Sequence, residues 1–436
     1  MKARLALLII AIGVLTACAG PSLRYKKDVL SKMDAGQFEK AEKIIEENRK
    51  KTYGSKNAVL YYLDLSTQQG ARYDSRASLS SLTNAGDITE ELFTRSVSAA
   101  MGTLIINDNT TPYVPPLFER SLMYFYRAAD YLSLGSPREA LVEANAAVFM
   151  LDKNREAKPK DLYNDDAFVQ YFSSMIYEDN GKISDARIAR ANAKNAYERQ
   201  AYSSASMPYF PLPYNYRDKG EAVIFHYNGK VPVKISNSIM LAWDDIWFAV
   251  EGNSDLAGTS QGLINAVYAG AFGNSITVSF PEYADVPYDI KYSEVSADGA
   301  PAVRTQLVSD IAWQAKQNLK QDKAALFTRS VTRAVTKYIL SVQARHIVEK
   351  NIGEDAGFLI GSLFSIFSNV TEKADTRSWF TLPAEIRMAS LFLPPGVHDI
   401  KIRFMNGSGQ TIDEYVFENV QIIKGKRTYL YNRTSK

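Results

Sequence analysis

The first half of the chain is punctuated by the junction Gly36-Gln37-Phe38-Glu39-Lys40-Ala41 and by three others of the same kind, at residues 70–75, 135–140 and 181–186. In each, a glycine is followed five positions later by a small residue, usually with an acidic residue between them. A glycine can end one helix in a left-handed cap, and a small residue lets the next helix pack closely against its partner. The junctions therefore predict a series of helix–turn–helix units.

The spacing of these junctions suggests a class of helical repeat. Gly36 and Gly70 are 34 residues apart, which is the tetratricopeptide period. The following spacings, 65 and 46 residues, are irregular. We predict a degenerate tetratricopeptide-like helical array over residues 25–205, with an ordinary helical bundle that has glycine in its turns as the alternative.

The second half of the chain has a different composition. Residues 206–218 are rich in proline and tyrosine and predict a stiff linker. Beyond them, the β-rich run 221–227, the turn Asn228-Gly229 and the run 231–235 predict a β-hairpin. We predict an α+β domain over 219–436, with a helical insertion at 303–371 and a terminal module at 380–436 that is a small β-sandwich or a β-meander. The fold class is thus multidomain α+β.

Residues 1–17 have the parts of a secretory signal peptide: a basic head, an apolar run and small residues before Cys18. The apolar run is shorter than the roughly 20 residues that a membrane-spanning helix needs. Leu15-Thr16-Ala17-Cys18 resembles the lipobox of bacterial lipoproteins, which implies cleavage before Cys18 and a lipid on its thiol. Residues 18–24 are then a lipidated tether, and Ala19 implies export to the outer membrane, facing the periplasm.

Composition narrows the remaining function classes. The formal net charge is +3, so nucleic acid is not indicated as a partner. Cys18 is the only cysteine, which leaves none for a disulfide. The 26 tyrosines and 20 phenylalanines supply large rings for burial, as expected of a well-packed globular protein.

Two segments after residue 320 are candidates for interactions. Arg329, Arg333 and Lys337 recur every four residues and share one helical face, which could bind a phosphate-bearing lipid or a glycan precursor. A solvated helix face is the alternative. Residues 356–371 carry no charge and have small residues four apart, which is typical either of a helix that mediates oligomer or membrane contact or of a central core helix.

The stretch Asp375-Thr376-Arg377-Ser378-Trp379 places an acid, a guanidinium and an indole on alternate positions. In an extended chain, Asp375, Arg377 and Trp379 point the same way and could form a polar binding pocket. In the alternative interpretation, Arg377 pairs with an acid and Trp379 fills the core.

No motif for catalysis or metal binding is found. His226, His346 and His398 are far apart in sequence, and no zinc, nucleophile-elbow or phosphate-loop pattern occurs. We therefore predict no catalytic residue, cofactor or metal. A serine/histidine hydrolase or a glycosidase built from residues distant in sequence stays open.

Three stretches of the second half resemble a family of uncharacterised bacterial outer-membrane lipoproteins with tetratricopeptide-like helices at the front. They are 220–229, 328–337 and the segment Thr371-Glu372-Lys373-Ala374-Asp375-Thr376-Arg377-Ser378-Trp379 with 381–386. The family is similar in setting to lipoproteins found beside activators of peptidoglycan synthases, which implies a role in the cell envelope. It brings no established activity, substrate or catalytic residue.

The sequence therefore predicts a non-catalytic outer-membrane lipoprotein whose helical array is a periplasm-facing scaffold for a protein partner. Its role would lie in envelope biogenesis or maintenance. The alternatives are a cell-wall glycan binder or hydrolase that uses the Asp375, Arg377 and Trp379 region, and a component of an oligomeric envelope assembly.

Overall fold

The structure is a computed structural model that describes residues 21–95, 111–159, 163, 165–200, 205–208, 218–242, 275–297, 301–323, 326, 330 and 374–436. Within these ranges the chain is mixed α+β, with helices first and sheets afterwards, as predicted. No helix in these ranges is long and apolar enough to cross a membrane.

Helices fill the first half. They are α1 (Leu23–Asp34), α2 (Phe38–Glu47), α3 (Ala58–Ala71), α4 (Ser75–Arg95), α5 (Leu117–Ser133), α6 (Pro137–Ala157), α7 (Ala167–Asp179) and α8 (Ile183–Arg199), with a π-helical turn at Arg49–Tyr53. Each helix packs on the next along the chain.

Three of the four glycine junctions form as predicted. Gly36, Gly135 and Gly181 have φ angles of 68°, 73° and 71°, the left-handed conformation of a helix cap. At the remaining junction the prediction is wrong in detail, because Gly70 lies inside α3 and Tyr73, with φ 61°, takes the left-handed position. The small residues Ala41, Ala140 and Ala186 are fully buried.

Strands of the second half form two four-stranded sheets and a separate pair. The strands are β1 (Gly220–Asn228), β2 (Val233–Ala242), β3 (Ser275–Ala284), β4 (Tyr292–Ala297), β5 (Val303–Arg304), β6 (Gln306–Asp310), β7 (Glu385–Leu393), β8 (Gly396–Met405), β9 (Thr411–Ile422) and β10 (Arg427–Thr434). The first sheet has the order β10-β1-β7-β6, the second has β5-β4-β8-β9, and β2 pairs with β3.

Strand β1 lies in the middle of the molecule, and every one of its residues is buried. Val223, Phe225 and Tyr227 belong to the core shared with the helices, whereas Ala222 and Ile224 belong to the core shared with the second sheet. Since successive strand residues point to opposite faces, the first sheet is the central layer between the helices and the second sheet.

The predicted hairpin across Asn228-Gly229 does not form. Strand β1 pairs in parallel with β10 and antiparallel with β7, whereas β2 pairs with β3. The strands of the predicted terminal module are likewise distributed between both sheets, with β1 lying between β10 and β7. The division into separate domains stays a prediction, but one core cluster runs from Tyr25 in α1 to Met388 in β7.

Candidate functional site

Several candidates from the sequence lie outside the described residues. These are the lipid attachment residue Cys18, the cationic stripe Arg329, Arg333 and Lys337, and the uncharged segment 356–371. The stretch from Asp375 to Trp379 is described, and its geometry separates the two interpretations given to it.

Arg377 is a buried structural anchor, only 3 % exposed. Its Nε and Nη2 bind the two carboxylate oxygens of Asp375 at 2.9 and 2.7 Å, a two-pronged ion pair. Its Nη1 donates to Asn57 Oδ1 at 3.1 Å and to the Thr111 carbonyl at 2.7 Å. Burial raises the pKa of Asp375, but the hydrogen bonds and charge of Arg377 outweigh this effect, so the pKa is lowered overall. Arg377 thus joins the segment to the turn before α3.

Trp379 fills the core and is 1 % exposed. Its ring lies 5.7 Å from that of Tyr126 in α5, measured between centroids. Its backbone N–H donates to Glu119 Oε1 at 3.0 Å, and the Tyr113 hydroxyl binds the other oxygen of the same carboxylate. Burial raises the pKa of Glu119.

The rest of this segment is held by two further helices. Lys26 of α1 donates to the Thr376 carbonyl at 2.7 Å, and burial lowers the pKa of this lysine to about 8. Asp64 of α3, fully buried, accepts from the Thr381 hydroxyl at 2.9 Å. Residues 374–384 therefore run along the inner side of α1, α3 and α5. The glycan-binding alternative requires Arg377 and Trp379 to line an open cleft. Both side chains are buried, which contradicts that requirement.

A serine and a histidine do come together, between the two sheets. Ser293 Oγ lies 3.0 Å from His226 Nδ1, and Thr434 Oγ1 lies 2.7 Å from His226 Nε2. Both Ser293 and His226 are fully buried, and burial holds the pKa of His226 well below its usual range. No substrate can reach this pair, so it is a packing contact and does not serve as a nucleophile and base.

A cavity of about 520 Å³ opens between the helices and the edge of the first sheet. Its walls come from α3, the turn at Tyr73, α4 and α5 on one side, and from β1, β9 and β10 on the other. The rings of Tyr73 and Tyr415, both exposed by more than a third, stack at 5.7 Å between centroids. Pockets of this size, lined by aromatic rings with a few polar groups, are the usual form of a small-molecule site.

Asp130 of α5 is the buried acid of this cavity and is 8 % exposed. Burial raises its pKa to about 7, against the opposing effect of hydrogen bonds from Ser78 and Ser75. Its Oδ2 has no hydrogen-bond partner among the described residues. Buried polar atoms without a partner are rare in proteins, and a ligand or an ordered water is a common reason for them.

Arg433 of β10 is a cationic residue that lines the same cavity. Its Nη1 donates to the carbonyl of Tyr227 at 3.2 Å and to that of Thr434, while Nη2 is buried with no partner in the described part of the chain. Burial lowers its pKa to about 10. The hydroxyl of Tyr431, which also lines the cavity, likewise has no partner among the described residues. Three polar groups of the cavity lining thus have no hydrogen-bond partner within the described ranges.

This arrangement is suited to binding. Within the described residues, no group of three histidine, cysteine, aspartate or glutamate side chains could hold a metal ion. Sequence reasoning missed the cavity because its walls come from six elements and a turn that are far apart along the chain; only the helical spacing of Tyr126 and the junction 70–75 pointed near it.

In comparisons with known proteins, no protein-family model, no curated protein and no solved structure matches the chain.

Proposed function

We propose that this chain is a non-catalytic binding lipoprotein of the bacterial cell envelope. A lipid on Cys18 anchors it to the outer membrane, and the folded part faces the periplasm. The observation that carries the binding role is the aromatic cavity, in which Asp130, Tyr431 and Arg433 have polar atoms without hydrogen-bond partners among the residues that the structure describes. Burying such groups costs free energy, and a bound ligand offsets that cost.

Blocking the mouth of the cavity tests the binding role. Ser133 lines the cavity and is exposed, so Ser133→Trp fills the entrance without disturbing the core. Ser80→Trp, at an exposed position of α4 that does not line the cavity, is the matched control. We expect the low-molecular-mass fraction of a cell extract to raise the melting temperature of the wild type and of Ser80→Trp, but not that of Ser133→Trp. Equal responses of all three chains, or none, would refute the binding role.

The anchor is tested separately. Cys18→Ser removes the thiol to which a lipid would be attached, so we expect palmitate labelling to be lost and the protein to move from the membrane fraction to the soluble fraction. A Cys18→Ser protein that stays in the membrane fraction would argue against lipid anchoring.

A protein-binding scaffold is the second candidate. We propose that α1–α8 form the degenerate tetratricopeptide-like array, with the inner side of α1, α3 and α5 already filled by residues 374–384 of the same chain. A protein partner would then use the outer side. Val142 and Phe149 of α6 and Ile188 of α8, each more than 60 % exposed, favour this surface.

Site-specific crosslinking in cells distinguishes the two candidates. Photo-reactive residues at Val142 and Ile188 should give discrete protein adducts if the outer side binds a partner, and Phe149→Glu should abolish them. Replacement of Lys194, exposed at the far end of α8, serves as the control. If only Lys194 reacts, or no adduct forms, the scaffold candidate fails and the cavity remains the binding site.

A further inference from the structure

The charged groups of the cavity are unusual in their pairing. Asp130 and Arg433 line the same space, and each has a polar side-chain atom, Oδ2 and Nη2, without a hydrogen-bond partner among the described residues. The neutral hydroxyls of Ser78 and Ser75 lower the pKa of Asp130 by hydrogen bonding, against the larger, opposite effect of burial. The carboxylate whose charge raises the pKa of Arg433 is that of Asp34, and Asp34 is itself paired with Lys230. Away from its exposed mouth, the cavity lining therefore offers one acid, Asp130, and one cation, Arg433.

The space around Asp130 suits an ammonium group. Tyr126, Tyr227 and Tyr431 line the cavity together with Asp130, and burial and the charge of Asp130 raise the pKa of each of their hydroxyls. The Tyr431 hydroxyl and Asp130 Oδ2 both lack hydrogen-bond partners in the described structure, so a donor with several hydrogens could bind both. Aromatic rings next to a carboxylate favour a cation, because the faces of the rings are negative.

The space around Arg433 suits an acidic group. A guanidinium binds a carboxylate through two parallel N–H bonds, and such charge-assisted bonds are about twice as strong as neutral ones. The unpartnered Nη2 supplies one of these donors. At the exposed mouth, Asp74 and Arg76 add one further charge of each sign, so the lining as a whole does not select a net charge.

We propose that the cavity binds a small zwitterionic molecule, an amino acid or a short peptide, with its ammonium group at Asp130 and its carboxylate at Arg433. The aromatic walls take an apolar side chain of the ligand. This assignment rests on the proposed binding role of the cavity and adds the chemical class of the ligand.

A set of four probes tests the class without any substitution. The probes are phenylalanine, which carries both charges, phenethylamine, which has only the ammonium, 3-phenylpropanoate, which has only the carboxylate, and methyl glucoside, a neutral ring rich in hydroxyls. Titration calorimetry of the full chain should show that phenylalanine binds at least about tenfold more tightly than either one-charge analogue, since each charge-assisted bond contributes on that scale. Equal affinities, tighter binding of methyl glucoside, or no binding of any probe would overturn the proposal.

Two variants then assign the ends of the ligand. Asp130→Asn should weaken the binding of phenylalanine about tenfold and leave the affinity for 3-phenylpropanoate unchanged. Arg433→Gln should also weaken the binding of phenylalanine about tenfold, but leave the affinity for phenethylamine unchanged. A loss of all probes in both variants would contradict the assignment. If the response that Ser133→Trp abolishes comes from an extract compound that is not zwitterionic, the binding role stands and the ligand class is wrong. If Ser133→Trp has no effect, the binding role itself fails.

Discussion

At the scale of single residues, Trp379 shows that a tryptophan ring can be buried for its packing while the structure describes no hydrogen-bond partner for its indole N–H. The ring is fully buried, but the indole N–H has no hydrogen-bond partner among the described residues. We expect Trp379→Ala to lower the free energy of unfolding by about 3 to 5 kcal/mol, whereas Trp379→Phe should lower it by only about 1 to 2 kcal/mol, because it loses volume and no hydrogen bond. Urea unfolding measures both values.

The difference between the two variants decides the role of the indole. If Trp379→Phe were as harmful as Trp379→Ala, the N–H would have an essential partner and the packing interpretation would be incomplete. A loss below about 1 kcal/mol in Trp379→Ala would show that the ring does not hold the core.

Asp130 gives a second prediction at this scale, concerning pH. Its folded pKa, raised to about 7 by burial, lies above the ordinary value of 3.8, so folding favours the protonated form. The wild type therefore loses stability as pH rises from 4 to 7. At pH 8 the wild type must bury the charge of the Asp130 carboxylate, whereas Asp130→Asn has no such charge to bury. We expect the stability of Asp130→Asn relative to wild type to increase by about 2 to 4 kcal/mol between pH 4 and pH 8.

Thermal or urea unfolding at several pH values measures this difference. The groups that face Asp130 are Asp74, Ser75 and Ser78 from the start of α4, Tyr126 from its own helix, Tyr227 from β1 and Tyr431 from β10. Asp74→Asn, at the exposed mouth, separates the effect of burial from the loss of one charge. A relative stability that does not change with pH would mean that Asp130 is charged at no cost in the folded protein.

How far the sequence predicts such residues depends on how local their partners are. One of the two interpretations of the alternation paired Arg377 with an acid, and in the structure that acid is Asp375, two residues away. The contact of Arg377 with Asn57 spans 320 residues and has no sequence signal. The cavity has the same difficulty, because Asp130 and Arg433 are brought together only by the packing of α5 on β10.

At the scale of elements, Asn228-Gly229 shows why a strong local signal predicted the wrong pairing. Gly229 does take a positive φ of 70°, as a turn residue should. Asn228, however, donates to the Ile290 carbonyl and to Glu385, and the Gly229 N–H donates to the Thr434 carbonyl. The turn at the end of β1 thus contacts three segments that are distant in sequence. Strand β1 itself pairs with β10 and β7, because a strand that is buried on both faces needs hydrogen-bonding partners on both edges.

Two glycines with the same backbone conformation isolate the packing at this turn. A Cβ atom on Gly229 would lie 2.6 Å from the ring of Tyr288, whereas one on Gly425, with φ 71°, would meet no atom of the described residues within 4 Å. Alanine at either position pays the backbone strain of about 1 kcal/mol. We expect Gly229→Ala to lower the free energy of unfolding by about 1 to 3 kcal/mol more than Gly425→Ala.

Urea unfolding of the two variants gives that comparison directly. A second variant, Gly229→Ala with Tyr288→Ala, should recover part of the additional loss, since it removes the ring that the new methyl group meets. Equal losses at Gly229 and Gly425 would show that Tyr288 moves aside freely.

At the scale of the whole molecule, composition and periodicity predicted the order of the helical and β-rich parts but not their joint core. Phe225 of β1 contacts Phe125, Phe168 and Phe172 of the helices, with ring centroids 5.6 to 6.2 Å apart. Arg427 of β10 makes ion pairs with Glu178 and Asp179 of α7 at 2.6 Å. Such contacts join residues far apart in sequence, and a pattern of local periods does not contain them.

The shared core leads to a prediction about folding units. If residues 25–205 were an independent domain, that fragment would unfold cooperatively at its own midpoint. In the structure its buried rings on α5 and α7 are covered by Phe225 and by Tyr431, which stacks on Phe225 at 5.5 Å. We therefore expect the fragment 21–205 to lack a cooperative transition and to bind a hydrophobic dye, because removal of the sheet exposes the aromatic face.

The full chain is the control for this experiment. Circular dichroism of its helices and the fluorescence of Trp379, in a chain whose other tryptophans are replaced by phenylalanine, should give coincident urea transitions, since Trp379 lies in the core that the helices share with residues 374–384. A sharp, independent transition of the fragment would restore the division near residue 205, and the core around Phe225 would then be an interface between two domains.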